Sequence, residues 1–282
     1  MVTPRAELCP RAPRRLRREV VVAGLGLLFS LGCARFRQVS DSIPGRHTIV
    51  REQLVIASDF SLPQQHRLLE ELVAQRYDLA VKLGLPTSDE PIHVFLFDNP
   101  DRFHAFTRQN FPEVAPRRAF FVESDTRLTV YAQWGDRVAE DLRHEVAHGY
   151  LHAVVPNLPL WIDEGLAEYF EVPRGGAGLN RPHVDALLRA ATEGRWKPDL
   201  ARLEHFRSIA HMEQLDYAES WAWIHLLLET TPERAAVLRT QLHALRQKGS
   251  APALWTQLGP QLPQPETELL AHLRNLAATP AH

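Results

Sequence analysis

Between residues 47 and 133 the apolar positions alternate or run in short blocks, and after residue 136 they recur at helical spacing. The stretch HTIVREQLVIAS alternates and is rich in β-branched side chains, which predicts a strand or hairpin at 47–57. Leu68, Leu69, Leu72, Val73 and Leu79 share one face of a helix over 62–84, with Gly84 and Pro86 as stop signals. PIHVFLFDN predicts a short buried strand at 91–99, and PDRFHAFTRQN a helix at 100–110 with Pro near its start. Two strands at 119–123 and 127–133 follow, joined by a polar turn. Helices then dominate, at 136–155, 160–171, 182–193, 216–229, 232–248 and 264–277.

The predicted class is therefore α+β. A mixed α/β lobe with a small sheet (47–135) precedes a mainly α-helical lobe (136–282). The GGAG at 175–178 reads as a flexible loop. It lacks the Lys-Ser/Thr of a phosphate-binding loop and follows a helix, not a strand.

Composition changes this picture only at the N-terminus. The 282-residue chain is 45% hydrophobic and 23% charged, which places it among folded proteins, and its net charge of -2 gives no reason to expect a nucleic-acid partner. Residues 1–32 carry six Arg and two Glu, a balance of +4, so the rest carries -6. The basic segment PRRLRRE precedes thirteen uncharged residues, VVVAGLGLLFSLG, which are too few for a comfortable membrane span. Residues 1–32 are expected to be a signal peptide and 33–46 a tether. SLGC resembles a bacterial lipoprotein cleavage site, with Ser30 departing from the aliphatic preference. That resemblance implies an acylated Cys33, export to the cell envelope and a lipid anchor in a bacterial membrane; a non-lipidated signal or an uncleaved anchor is the alternative. With only Cys9 and Cys33 present, the mature chain would have no internal disulfide.

Candidate chemistry concentrates in HEVAH at 144–148. On a helix, His144 and His148 project from one face, where two imidazole nitrogens can share a Zn²⁺. Glu145 sits beside them off the ligand row, where a general base belongs. A catalytic zinc wants three protein ligands and one open position. The helix LWIDEGLAEYF supplies Glu164, with fifteen residues between it and His148, and Pro156 and Pro159 turn it back. Two His on an amphipathic helix beside an unrelated Glu cluster is the bland alternative.

HEVAH followed by WIDEGLAEYF resembles the gluzincin branch of zinc metallopeptidases, the peptidase MA-like families. The resemblance implies a zincin-like fold with the active-site helix at the lobe junction. It implies one zinc held by His144, His148 and Glu164, with Glu145 as base. It also implies Glu168, one turn past Glu164, as the acid that hydrogen-bonds a zinc-bound His. The aminopeptidase members have eighteen residues between the second His and the Glu, so the loop here is tighter. Their Gly-x-Met-Glu-Asn motif is absent, since the only methionines are Met1 and Met212. Endopeptidase action on a peptide or protein substrate is thus the default.

A metzincin is excluded because position 154 is Val154. His152 reads as a packing or ligand-supporting residue, His225 as a core residue, and His205 and His211 as weak candidates. The resemblance extends to Tyr217, in Y-x-x-S before a helix, as the residue that stabilises the oxyanion; a Tyr packing at a helix start is the alternative. Such folds also lead us to expect the 127–133 strand at the sheet edge, where a substrate adds as a further strand. The competing function is a catalytically inactive binding or scaffold lipoprotein on the same fold. Oligomeric state and side-chain preference are not readable.

Overall fold

The computed structural model describes residues 43–259 and 261–279, all within one compact unit spanning 39–282. The expected signal peptide, Cys33 and most of the tether lie outside the described residues. Five strands are present: β1 (His47–Arg51), β2 (Leu54–Ser58), β3 (Ile92–Phe97), β4 (Ala119–Ser124) and β5 (Arg127–Gln133). Helix α1 (Arg67–Leu83) lies between β2 and β3, and α2 (Pro100–Asn110) between β3 and β4. The remainder is helical: α3 (Val138–His152), α4 (Leu160–Phe170), α5 (Arg181–Thr192), α6 (Leu200–Leu203), α7 (Gln214–Glu229), α8 (Pro232–Lys248) and α9 (Pro265–Ala278). The class is α+β, with a five-stranded mixed sheet followed by a mostly helical C-terminal part.

Capping chemistry moved two predicted boundaries. Helix α1 starts at 67 rather than 62, because His66 caps it by accepting from the Leu68 amide, and residues 63–66 close a turn through Pro63. Helix α7 starts at 214 rather than 216, where Glu213 and Asp216 form a reciprocal capping box. The four-residue α6 was too short to show a period. The 175–178 loop is tied down at its end, where the Gly178 carbonyl accepts from Trp221 Nε1 at 2.8 Å. No helix among the described residues is long and apolar enough to cross a membrane.

The sheet order is β1-β2-β3-β5-β4, parallel across β2–β3–β5 and antiparallel at both margins. This corrects one expectation: β5 is interior, and β4 is the edge. Strand β4 precedes β5 in the chain but pairs on its outer side, so that β5 separates β4 from β3. Alternation sorts the two faces. Ile92, Val94, Leu96, Leu128, Val130 and Ala132 turn to the face that carries α1 and α3, within the main core. Phe97, Phe103, Phe106 and Phe120 form a separate aromatic cluster on the other face, with Tyr131 against it.

Two glycines let the motif helices approach their supports. A Cβ on Gly149 would meet the Ile92 side chain at 2.9 Å, so α3 lies directly on the sheet. A Cβ on Gly165 would meet the Ser220 carbonyl oxygen at 2.6 Å, so α4 and α7 nearly touch through backbone. His225 is a core residue as expected. It is 2.9 Å from His272, and burial, then the charge of His272, pushes its pKa down to about 4.

Gly165→Ala has no flexible side chain to displace, so α4 must lift from α7. We expect a loss of about 1–3 kcal/mol in urea unfolding. An unchanged midpoint would contradict the close approach.

Candidate metal centre

Helices α3 and α4 run as an antiparallel pair joined by residues 153–159. A buried glutamine fixes their register: Gln75 Nε2 donates to the Arg143 carbonyl at 2.7 Å and to the Phe170 carbonyl at 3.1 Å. Arg143 Nε also donates to the Glu171 carbonyl at 2.5 Å.

In this register three acceptor atoms converge. His144 Nε2 and His148 Nε2 are 3.3 Å apart, and Glu164 Oε2 lies 3.6 Å from the first and 3.7 Å from the second. A tetrahedral ion with bonds of about 2.0–2.1 Å spaces its ligand atoms about 3.3–3.4 Å apart, so the triangle fits zinc.

The outer nitrogens settle which lone pairs face inward. His148 Nδ1 lies 2.8 Å from Asp163 Oδ1, and His144 Nδ1 lies 3.0 Å from Glu171 Oε2. Each carboxylate accepts from an Nδ1–H, which leaves both Nε2 lone pairs aimed at the Glu164 oxygen. Three acceptors facing one point repel unless a cation sits among them. Without a metal, protons answer the same demand. Burial alone lowers the pKa of His144, but hydrogen bonds to Glu164 and Glu171 hold it well above the usual range. For His148 burial is likewise outweighed, by Asp163 and Glu164, and the pKa is raised.

Behind each imidazole the network continues. Asp163 Oδ2 meets His152 Nε2 at 3.0 Å, and His152 Nδ1 meets Glu123 Oε2 on β4 at 2.7 Å. Burial would raise Asp163, yet the charges of His148 and His152 hold it well below the carboxylate range, and His152 is pushed up to about 9. On the other side Asn180 Nδ2 donates to Glu171 at 3.1 Å. Phe121 of β4 stacks on His148, with ring centroids 5.9 Å apart.

Glu168 sits one step further from the triangle than the resemblance implies. It does not hydrogen-bond either imidazole of the triangle but pairs with buried His183 at 2.8 Å. Asp163 and Glu171 do the orienting instead. Both had a signal in the sequence: Asp163 directly precedes Glu164, and Glu171 lies two helical turns beyond it. Glu123 and His183 had none.

The triangle opens into a cleft of about 740 Å³ that also holds Glu145, Glu168 and Tyr217, so every predicted catalytic and metal residue lines it. Burial raises the pKa of Glu145, with the two histidines opposing. Burial, then the charge of Glu164, pushes Tyr217 up to about 12. His205 and His211 are exposed and do not line the cleft.

Residues 138–245 match a family model described as a protein of unknown function, DUF1570. No curated protein matches the chain. Among solved structures, the chain is similar to an M1 zinc metallopeptidase from Deinococcus radiodurans, with a TM-score of 0.36 and 17% identity over 85% of this chain and 53% of that one. A point mutant of that enzyme gives a TM-score of 0.37 and 16% identity, over 82% of this chain and 51% of that one. The chain thus spans about half the length of both structures.

Asp163→Asn and Glu171→Gln each free one imidazole to rotate and lower its basicity. Each should weaken zinc binding about 10–100-fold, read by competition with a chromogenic chelator. Glu168→Gln should change it much less.

Proposed function

We propose that the protein is a zinc-dependent peptidase of zincin-like, gluzincin type that hydrolyses internal peptide bonds. The observation that carries this reading is the convergence of His144, His148 and Glu164 on one point of a cleft that also holds Glu145 and Tyr217. These three side chains would hold one zinc, which would supply Lewis acidity for hydrolysis. Glu145 accepts a proton from the attacking water and returns it to the leaving amine. Burial raises its pKa above that of an exposed carboxylate, and among the described residues no ion pair commits it, as suits a group that must both take and give a proton. Tyr217 keeps its proton at pH 7 and donates a hydrogen bond to the oxyanion as it develops. The substrate backbone lies along β4, the sheet edge that borders the cleft.

Glu145→Gln should keep the zinc, read by elemental analysis, and lose about 10²–10⁴-fold in hydrolysis of a quenched fluorescent peptide library. A wild-type protein that holds zinc and cleaves nothing would favour the scaffold reading; one that holds no zinc would end both.

Export and anchoring belong to the same proposal and rest on residues 1–33 alone: a basic segment, an apolar run and SLGC. Acylation at Cys33 would tether the domain to the membrane. Cys33→Ser should move the expressed protein from the membrane to the soluble fraction, and unchanged fractionation would refute lipidation.

A further inference from the structure

Strand alternation puts residues 117, 119, 121 and 123 in one row. Three of the four are seen to face the helix that carries the histidines. Ala119 lines the cleft, Phe121 stacks on His148, and Glu123 meets His152. The pairing continues past the end of β4, because the Gln133 amide donates to the Arg118 carbonyl at 2.9 Å. Arg117 is therefore the next member of the row, and it lines the same cleft, half-buried.

Apart from Glu145, the other charges of the cleft are engaged. Arg118 holds Asp141 in a two-armed ion pair, and Glu140 pairs with Arg137. The acids at 163, 164, 168 and 171 all face histidines. Among the described residues Arg117 has no ion-pair partner, although its positive charge lowers the pKa of both Glu145 and Tyr217. An arginine that only balanced the acidic wall would sit in a pair, as Arg118 does. A half-buried guanidinium that no carboxylate holds in a close ion pair has donors to offer, and its planar fork matches a carboxylate in two-point geometry.

We propose that Arg117 is a specificity-determining residue that anchors a carboxylate of the bound peptide next to the metal centre. That carboxylate is the C-terminal group or an Asp or Glu side chain. The inference rests on the zinc-peptidase reading. It adds an acidic substrate class to it, and the row from 117 to 123 sets the spacing between the anchored anion and the cleaved bond.

The test is a binding measurement on the zinc-loaded Glu145→Gln protein, by calorimetry, with three short peptides. One is blocked at both ends and neutral, one has a free C-terminal carboxylate, and one is blocked with a single internal Glu. At least one acidic peptide should bind about tenfold or more tightly than the neutral one. The tighter arm identifies the source of the carboxylate. Adding Arg117→Ala should erase the difference, and Arg117→Lys should keep part of it. Equal binding of all three, or a preference that survives Arg117→Ala, overturns this inference and leaves the peptidase reading intact. If none of the three binds a protein shown to hold zinc, both fall.

Discussion

Everything in the centre depends on holding three lone pairs at one point against their mutual repulsion. Such an arrangement does not form by itself. Each imidazole must be locked outward by an acceptor on Nδ1, and the helices that carry the ligands must not slide. Asp163 and Glu171 do the first. Gln75, reaching one carbonyl on each helix, does the second, and the close approaches at Gly149 and Gly165 press the pair between sheet and α7. Burying so many charges is costly, so nearly all of them are paired, and the chain of contacts runs out to Glu123 on the sheet edge.

Much of this was legible in the chain. The helix pair, its loop prolines and the ligand trio follow from the four-residue spacing of HEVAH and a second helix bearing Glu164. The order of elements followed from period and caps. Sheet order was not legible. Nothing in RLTVYAQ says that it inserts between β3 and β4, because strand order is a long-range choice made by which apolar face packs where. The short α6 fell below the length at which a period exists.

The placement of Glu168 has a more specific cause. Resemblance carries a role to a position, but which acid reaches which imidazole depends on the register of two antiparallel helices. That register runs early α4 against late α3. Asp163 therefore meets His148, and Glu171, at the far end of α4, meets His144. Glu168 lies between them on the helix and turns to α5, where His183 waits. The loop of 153–159 and the hydrogen bonds of Gln75 fix this register, and Gln75 lies in α1, far from the motif in sequence.

The same register separates the duties of neighbouring acids. Asp163 and Glu164 are adjacent, about 100° apart around the helix. One meets the outer nitrogen of His148 and the other faces the inner nitrogens of both histidines. Glu145, next to His144, is turned off that row, free of hydrogen bonds to the ligands among the described residues, and so keeps a raised pKa. A carboxylate paired by two histidines is held low, as Asp163 is, and is a poor acceptor of a proton from water. A base of the kind proposed must stand near the positive charge without being paired by it. The angular step from 144 to 145 is what allows that.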